Sequence, residues 1–165
     1  MAVPQTWFMA RVGGGRLAIF KSLAHTMIMT TTEAKELLQI HSFSHPDLKH
    51  PKMATGFLGS LRPYRGHLVE ENFHEIMAAL RILAPSLQQP TVDREVVRAL
   101  WSICYLGRSW GVCPGGMLQR NSLIQPEDVN RLDAWLDRIS YATFFLLEGC
   151  DIEEAFHGYD KPTTT

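Results

Sequence analysis

Between residues 68 and 84 the apolar side chains Val69, Phe73, Ile76, Met77, Leu80 and Leu83 recur every three or four positions, a spacing that only an α-helix gathers onto one face. Glu70 and Glu71 sit at its start, where the positive end of the helix dipole favours carboxylates. No stretch of the chain shows a sustained alternation of period two, and the β-branched residues fall mostly inside helical patterns. A chain built this way folds as helices packed on helices, because each amphipathic face has to be buried against another.

Three further segments repeat the pattern. Thr30-Thr31-Thr32-Glu33 has the form of a capping box ahead of Ala34, Leu37, Leu38 and Ile40, so a short first helix starts there and ends near Ser42. Prolines and glycines then interrupt residues 43–66, which read as a long irregular segment laid over the core through Phe57, Leu58, Leu61 and Tyr64. The second helix is the one at 68–84. Thr91 is expected to cap a third, running to about Trp110, with Val92, Val96, Leu100, Ile103 and Cys104 inward. Trp101 and Tyr105 project away from that stripe, which suggests that this helix is central.

A turn through Gly111, Pro114, Gly115 and Gly116 leads to Pro126-Glu127-Asp128, a helix start. The fourth helix buries Val129, Leu132, Trp135, Leu136, Ile139, Thr143 and Leu146, and Gly149 stops it. Tyr141, Phe144 and Phe145 leave that face and need a cover. Asp151 is expected to cap a short terminal helix through Phe156. The expected fold is thus an all-α single-domain bundle of about four main helices over residues 29–160, with a disordered tail at 161–165.

Composition narrows the classes of function. The net charge of −1 supplies no field that would draw in nucleic acid or an anionic membrane. Three cysteines without a CxxC pair form neither a disulfide framework nor a cysteine zinc site, and point to a reducing, cytoplasmic setting. Residues 1–28 carry Arg11, Arg16 and Lys21 but no acid, as transit peptides do, yet Gly13-Gly14-Gly15 would break the amphipathic helix of such a peptide. Leu17-Ala18-Ile19-Phe20 is too short for a secretory signal, and a membrane span needs about 20 apolar residues. We read residues 1–28 as an extension, poorly ordered or not native, with Met29 as the start.

No nucleophile elbow, phosphate-cradling loop or paired Cys and His signature occurs. A repeated Glu-x-x-His, Glu71 to His74 and Glu154 to His157, is the motif of di-iron bundles, with Glu36 or Glu95 available to complete the shell. Helix phase turns Glu71 and His74 away from the core stripe, however. His41, His45 and His50 with Asp47 offer imidazoles and a carboxylate, but match no metal spacing and read as exposed or capping histidines. Cys104 reads as a small apolar residue, and Cys113 as a turn residue reactive only beside a cation.

The cluster that carries more is non-catalytic. Arg62, Tyr64 and Arg65 precede the second helix, whose outer face carries Ile82, and Trp101, Tyr105 and Arg108 share the third. Arginine with aromatic side chains is the composition of protein-binding hot spots. The competing reading has Trp101 and Tyr105 packed beneath the long segment or the N-terminal extension. Tyr141, Phe144 and Phe145 offer a self-association surface.

The preferred function is a small helical protein-binding or regulatory module, of the kind immunity proteins represent, acting on a partner protein or as a homodimer without cofactor or chemistry. The alternative is a metal-binding bundle, enzyme or storage protein, through Glu71, His74, Glu154 and His157. A third reading holds a small apolar ligand beneath Trp101 and Phe144.

Overall fold

The computed structural model describes residues 29–161, so the expected extension at 1–28 and the tail from 162 onward lie outside the described residues. Four substantial helices carry the fold: α1 Thr31–His41, α3 Glu70–Leu87, α4 Arg94–Gly107 and α6 Pro126–Leu147. Shorter elements fill the connections: a 3-10 turn at Pro51–Met53, α2 at Phe57–Leu61, a π-helical turn at Arg108–Val112 and α5 at Met117–Arg120. The chain closes with α7 Ile152–Ala155 and α8 His157–Asp160. No strand occurs among the described residues, and none of their helices is long and apolar enough to cross a membrane.

α1 packs on α3 and α4, and α6 packs on the same two, so α1 and α6 occupy opposite corners of a four-helix arrangement. The expectation of a central third helix is corrected accordingly: α4 is a corner of the bundle with one side facing solvent. Between the helices lies one continuous core built from Leu38, Phe73, Ile76, Leu80, Leu100, Ile103, Leu136 and Ile139, among others. Phe73 stacks on Trp135 with ring centroids 5.3 Å apart and planes within 3°.

The capping box forms as the sequence dictates, Thr30 Oγ1 accepting from the Glu33 amide and Glu33 Oε2 accepting from the Thr30 amide at 2.7 Å. Other boundaries move. Helix α3 runs past the expected stop at Ala84 and holds Pro85 in its last turn, where the missing N–H leaves one carbonyl, that of Arg81, without its helical donor. Asp93, not Thr91, caps α4 by accepting from the Glu95 amide at 2.8 Å, which leaves Val92 outside the helix and exposed rather than inward. Ile82, expected to be exposed, is half-buried against the core.

The segment at 43–66 is less irregular than its glycines and prolines suggest. Its Phe57, Leu58 and Leu61 are buried through α2, which packs on α1 and α4. Gly59 makes that packing possible, since a Cβ there would lie 2.1 Å from the Met53 carbonyl oxygen. At the other end of the chain, Phe156 is completely buried between α7 and α8. The Arg81 guanidinium covers its ring at 4.3 Å and bonds both Asp160 carboxylate oxygens, at 2.7 and 2.9 Å.

Candidate functional site

The outer side of α4 carries Arg94, Arg98, Trp101 and Tyr105 at spacings of three and four, so all four project from one stripe. Trp101 is 70% exposed and Tyr105 61%, and their rings lie parallel within 7° at 6.5 Å. The reading in which these two pack beneath the segment at 43–66 is therefore corrected, while the one in which the N-terminal extension covers them lies outside the described residues. Both face solvent because the buried stripe of α4, Val96, Ala99, Leu100, Ile103 and Gly107, lies on the opposite side.

Side chains that bridge α4 and α6 set the register between them. Arg108 donates to Asp133 at 2.5 Å and also to Asp137, and the Cys104 thiol meets the Ser140 hydroxyl. Residue numbers rise along one helix as they fall along the other, so the two run antiparallel. One turn beyond Cys104 and Ser140, that register sets Trp101 and Phe144 at the same level on either side of the seam. Phe144 is 58% exposed, and Leu147, one turn on, is exposed too. The result is a solvent-facing apolar ridge of Trp101, Tyr105, Phe144 and Leu147 at one end of the bundle.

Electrostatics separate the free groups of this face from the engaged ones. Burial alone would lower the Arg108 pKa, but Asp137 and Asp133 together hold it above its ordinary value, so its charge is neutralised within the chain. Burial pushes the Cys104 thiol up, against its contact with Ser140 and the Arg108 charge, which disfavours the thiolate there.

The remaining sequence candidates lie elsewhere. Tyr64 is half-buried and its hydroxyl donates to Asp128 Oδ2 at 2.6 Å, near the start of α6. Arg62 is exposed 5.7 Å from the Trp110 ring, and Arg65 is exposed. At 1.5 Å of rise per residue, Asp128 and Phe144 are about 24 Å apart along α6, so these residues and the ridge are two surfaces, not one. Tyr141 leans the other way round α6: its ring stacks on half-buried Phe145 at 4.2 Å. Together with Arg81, Glu154, His157 and Lys161 it lines an open cleft of about 640 Å³. Trp101 and Phe144 line neither this cleft nor a second one of about 300 Å³ around Ile124 and Val129.

The paired Glu-x-x-His motifs are not drawn into one centre. Glu71 is exposed, and the His74 Nδ1 lies 2.8 Å from the Tyr159 hydroxyl. Glu154 and His157 are exposed on α7 and α8. Glu36 meets His45 at 3.4 Å, and Glu95 is paired with Lys35 at 2.6 Å. Among the described residues no three carboxylates, thiols or imidazoles are grouped to hold a metal ion.

Of the three neighbouring histidines, His50 caps the 3-10 turn by accepting from the Lys52 amide, as a capping role requires. His41 is fully buried against Glu75 rather than exposed, and it too caps, its Nδ1 accepting from the Phe57 amide at 3.0 Å. Sequence reasoning missed Glu75 and Lys52 as its companions. The one available signal was the register of His41, three residues after Leu38 and seven after Ala34 on the buried face of α1.

The chain matches no protein-family model, and neither curated proteins nor solved structures give a match.

Proposed function

We propose that this protein is a small helical protein-binding module, and that it binds through the ridge formed by Trp101 and Tyr105 on α4 with Phe144 and Leu147 on α6. The observation that carries the reading is the exposure of two stacked aromatic side chains, 70% and 61%, on a helix whose other face already fills the core. Large rigid rings left in water gain free energy when a partner covers them, and Trp and Tyr dominate binding energetics for that reason. Arg94 and Arg98 continue the stripe and supply a polar rim. A regulatory role exerted by occupying a partner, without chemistry of its own, fits such a surface. The partner is a different protein or a second copy of this chain. The cysteines Cys104, Cys113 and Cys150 are all free thiols, which suits the reducing cytoplasm.

Arg108 is not a residue to test, because its removal would strand Asp133 and Asp137. The decisive comparison is between the native chain and a Trp101→Ala, Tyr105→Ala variant, each used to isolate partners that are then purified and titrated. Loss of two such anchors should weaken binding at least tenfold, with the circular dichroism spectrum unchanged. A native chain that stays monomeric and holds no partner overturns the proposal, as does a variant that binds equally well.

A further inference from the structure

His41 joins three elements through a ring that no solvent reaches. From the end of α1, its Nδ1 accepts the Phe57 amide proton at 3.0 Å and so caps the start of α2, sixteen residues further along the chain. An imidazole nitrogen that accepts carries no proton, so the neutral ring holds its hydrogen on Nε2. That nitrogen lies 3.1 Å from Glu75 Oε2 on α3, out of line for a hydrogen bond. Glu75 is paired in turn with Lys52 from the 3-10 turn. The charged groups facing His41 are thus Glu75 and Lys52, and their charges cancel while the imidazole is neutral.

A proton added to His41 changes both features. Nδ1 becomes a donor aimed at the Phe57 amide, which is itself a donor, and the cap is lost. The site also acquires a surplus positive charge, beside Lys52 and on a ring that solvent does not reach. The histidines nearby are built differently. His45 Nδ1 is 3.1 Å from the Asp47 amide and 3.2 Å from its carbonyl oxygen, so it can accept in one protonation state and donate in the other. His50 is half-exposed and caps only the local turn through the Lys52 amide.

We propose that His41 is a proton-operated latch: neutral, it clamps the segment 43–56 and α2 onto α1 and α3, and protonated, it releases them. Apart from His41, the segment is tied to α3 by the Lys52–Glu75 ion pair and by the Asn72 amide donating to the Thr55 carbonyl at 2.8 Å, and to α1 by His45 meeting Glu36 at 3.4 Å. Opening frees the buried apolar residues Phe57, Leu58 and Leu61 from the bundle.

The direction follows from linkage. Burial, partly offset by Glu75, holds the His41 pKa below the ordinary 6.5, so the opened segment binds the proton more tightly than the closed one. Closure is at full strength above about pH 6.5 and weakens as pH falls from there toward the closed-state value. Across that window the opening constant rises by up to tenfold per pH unit.

The test uses the full chain in two measurements. Nitrogen-15 correlation spectra near pH 8 report the tautomer, and the latch requires the Nε2–H form of His41; a proton on Nδ1 overturns it. Amide exchange over residues 43–61, referenced to α6 and corrected for intrinsic rates, should then accelerate about tenfold or more between pH 7 and pH 5. In His41→Gln, whose side-chain oxygen accepts a hydrogen bond but does not titrate, the acceleration should vanish, while His50→Gln should keep it. Equal profiles in the native chain and His41→Gln overturn the proposal. Should His41→Gln fail to fold, the native chain decides: the His41 ring must titrate over the pH range in which the segment opens, and separate midpoints sink the idea.

Discussion

The hydroxyl of Tyr64 shows how an aromatic side chain beside arginines can be committed inward rather than outward. It donates at 2.6 Å to Asp128, a carboxylate in the first turn of α6 that is also bonded by Arg131. Burial alone would raise the Asp128 pKa, but Tyr64 and Arg131 hold it below the ordinary 3.8, and burial with the same contact pushes the Tyr64 phenol well up. Asp128 therefore contributes stability that is present above about pH 3.8 and is lost as pH falls through its lowered value. Replacing Tyr64→Phe removes one hydrogen bond to a charged group while Arg131 keeps the carboxylate partnered, so the loss should be about 1–2 kcal/mol. Urea unfolding should show it as a lower midpoint at unchanged slope; an unchanged midpoint would mean that water replaces the phenol at no cost. The sequence marks Tyr64 by its neighbours Arg62 and Arg65 but hides a partner 64 residues away, which is why composition placed it among surface anchors.

At the scale of elements, periodicity located the helices and local chemistry set their ends less surely. The spacing in α1, α3, α4 and α6 is long enough that packing and propensity agree, so all four were legible. α2 was not, because a five-residue helix carries little period and Gly59 in its middle counts against helix. That glycine answers to a tertiary constraint, the backbone carbonyl of Met53 lying where its side chain would be. Gly59→Ala, which improves helix propensity, should therefore destabilise by about 1–3 kcal/mol as α2 is forced off the 3-10 turn. Amide exchange should locate the damage in residues 51–61; a variant as stable as the parent would show that the two elements slide apart freely. The same logic explains α4: a stripe apolar on more than one side reads equally well as a central helix or as a corner helix with a ridge left bare, and only the positions of α1 and α6 separate the two.

For the molecule as a whole, stability and binding draw on different aromatic side chains. Trp135 is buried and stacked on Phe73 at the junction of α3 and α6, so it stands where two of the four main helices meet. Trp101 and Tyr105 touch each other and solvent, at the far side of a helix whose inner face is already packed. Truncating Trp135→Ala should remove about 3–5 kcal/mol, a large part of the marginal stability of a domain this size. The pair Trp101→Ala, Tyr105→Ala should stay within about 0.5 kcal/mol per site, because exposed side chains away from caps and ion pairs contribute little. Urea midpoints for both variants decide it. A large loss at the exposed pair would mean that the ridge supports the fold, and its exposure would then say nothing of partners. A small one leaves two large rings in water that the fold does not need, and their retention then has to be explained by what covers them.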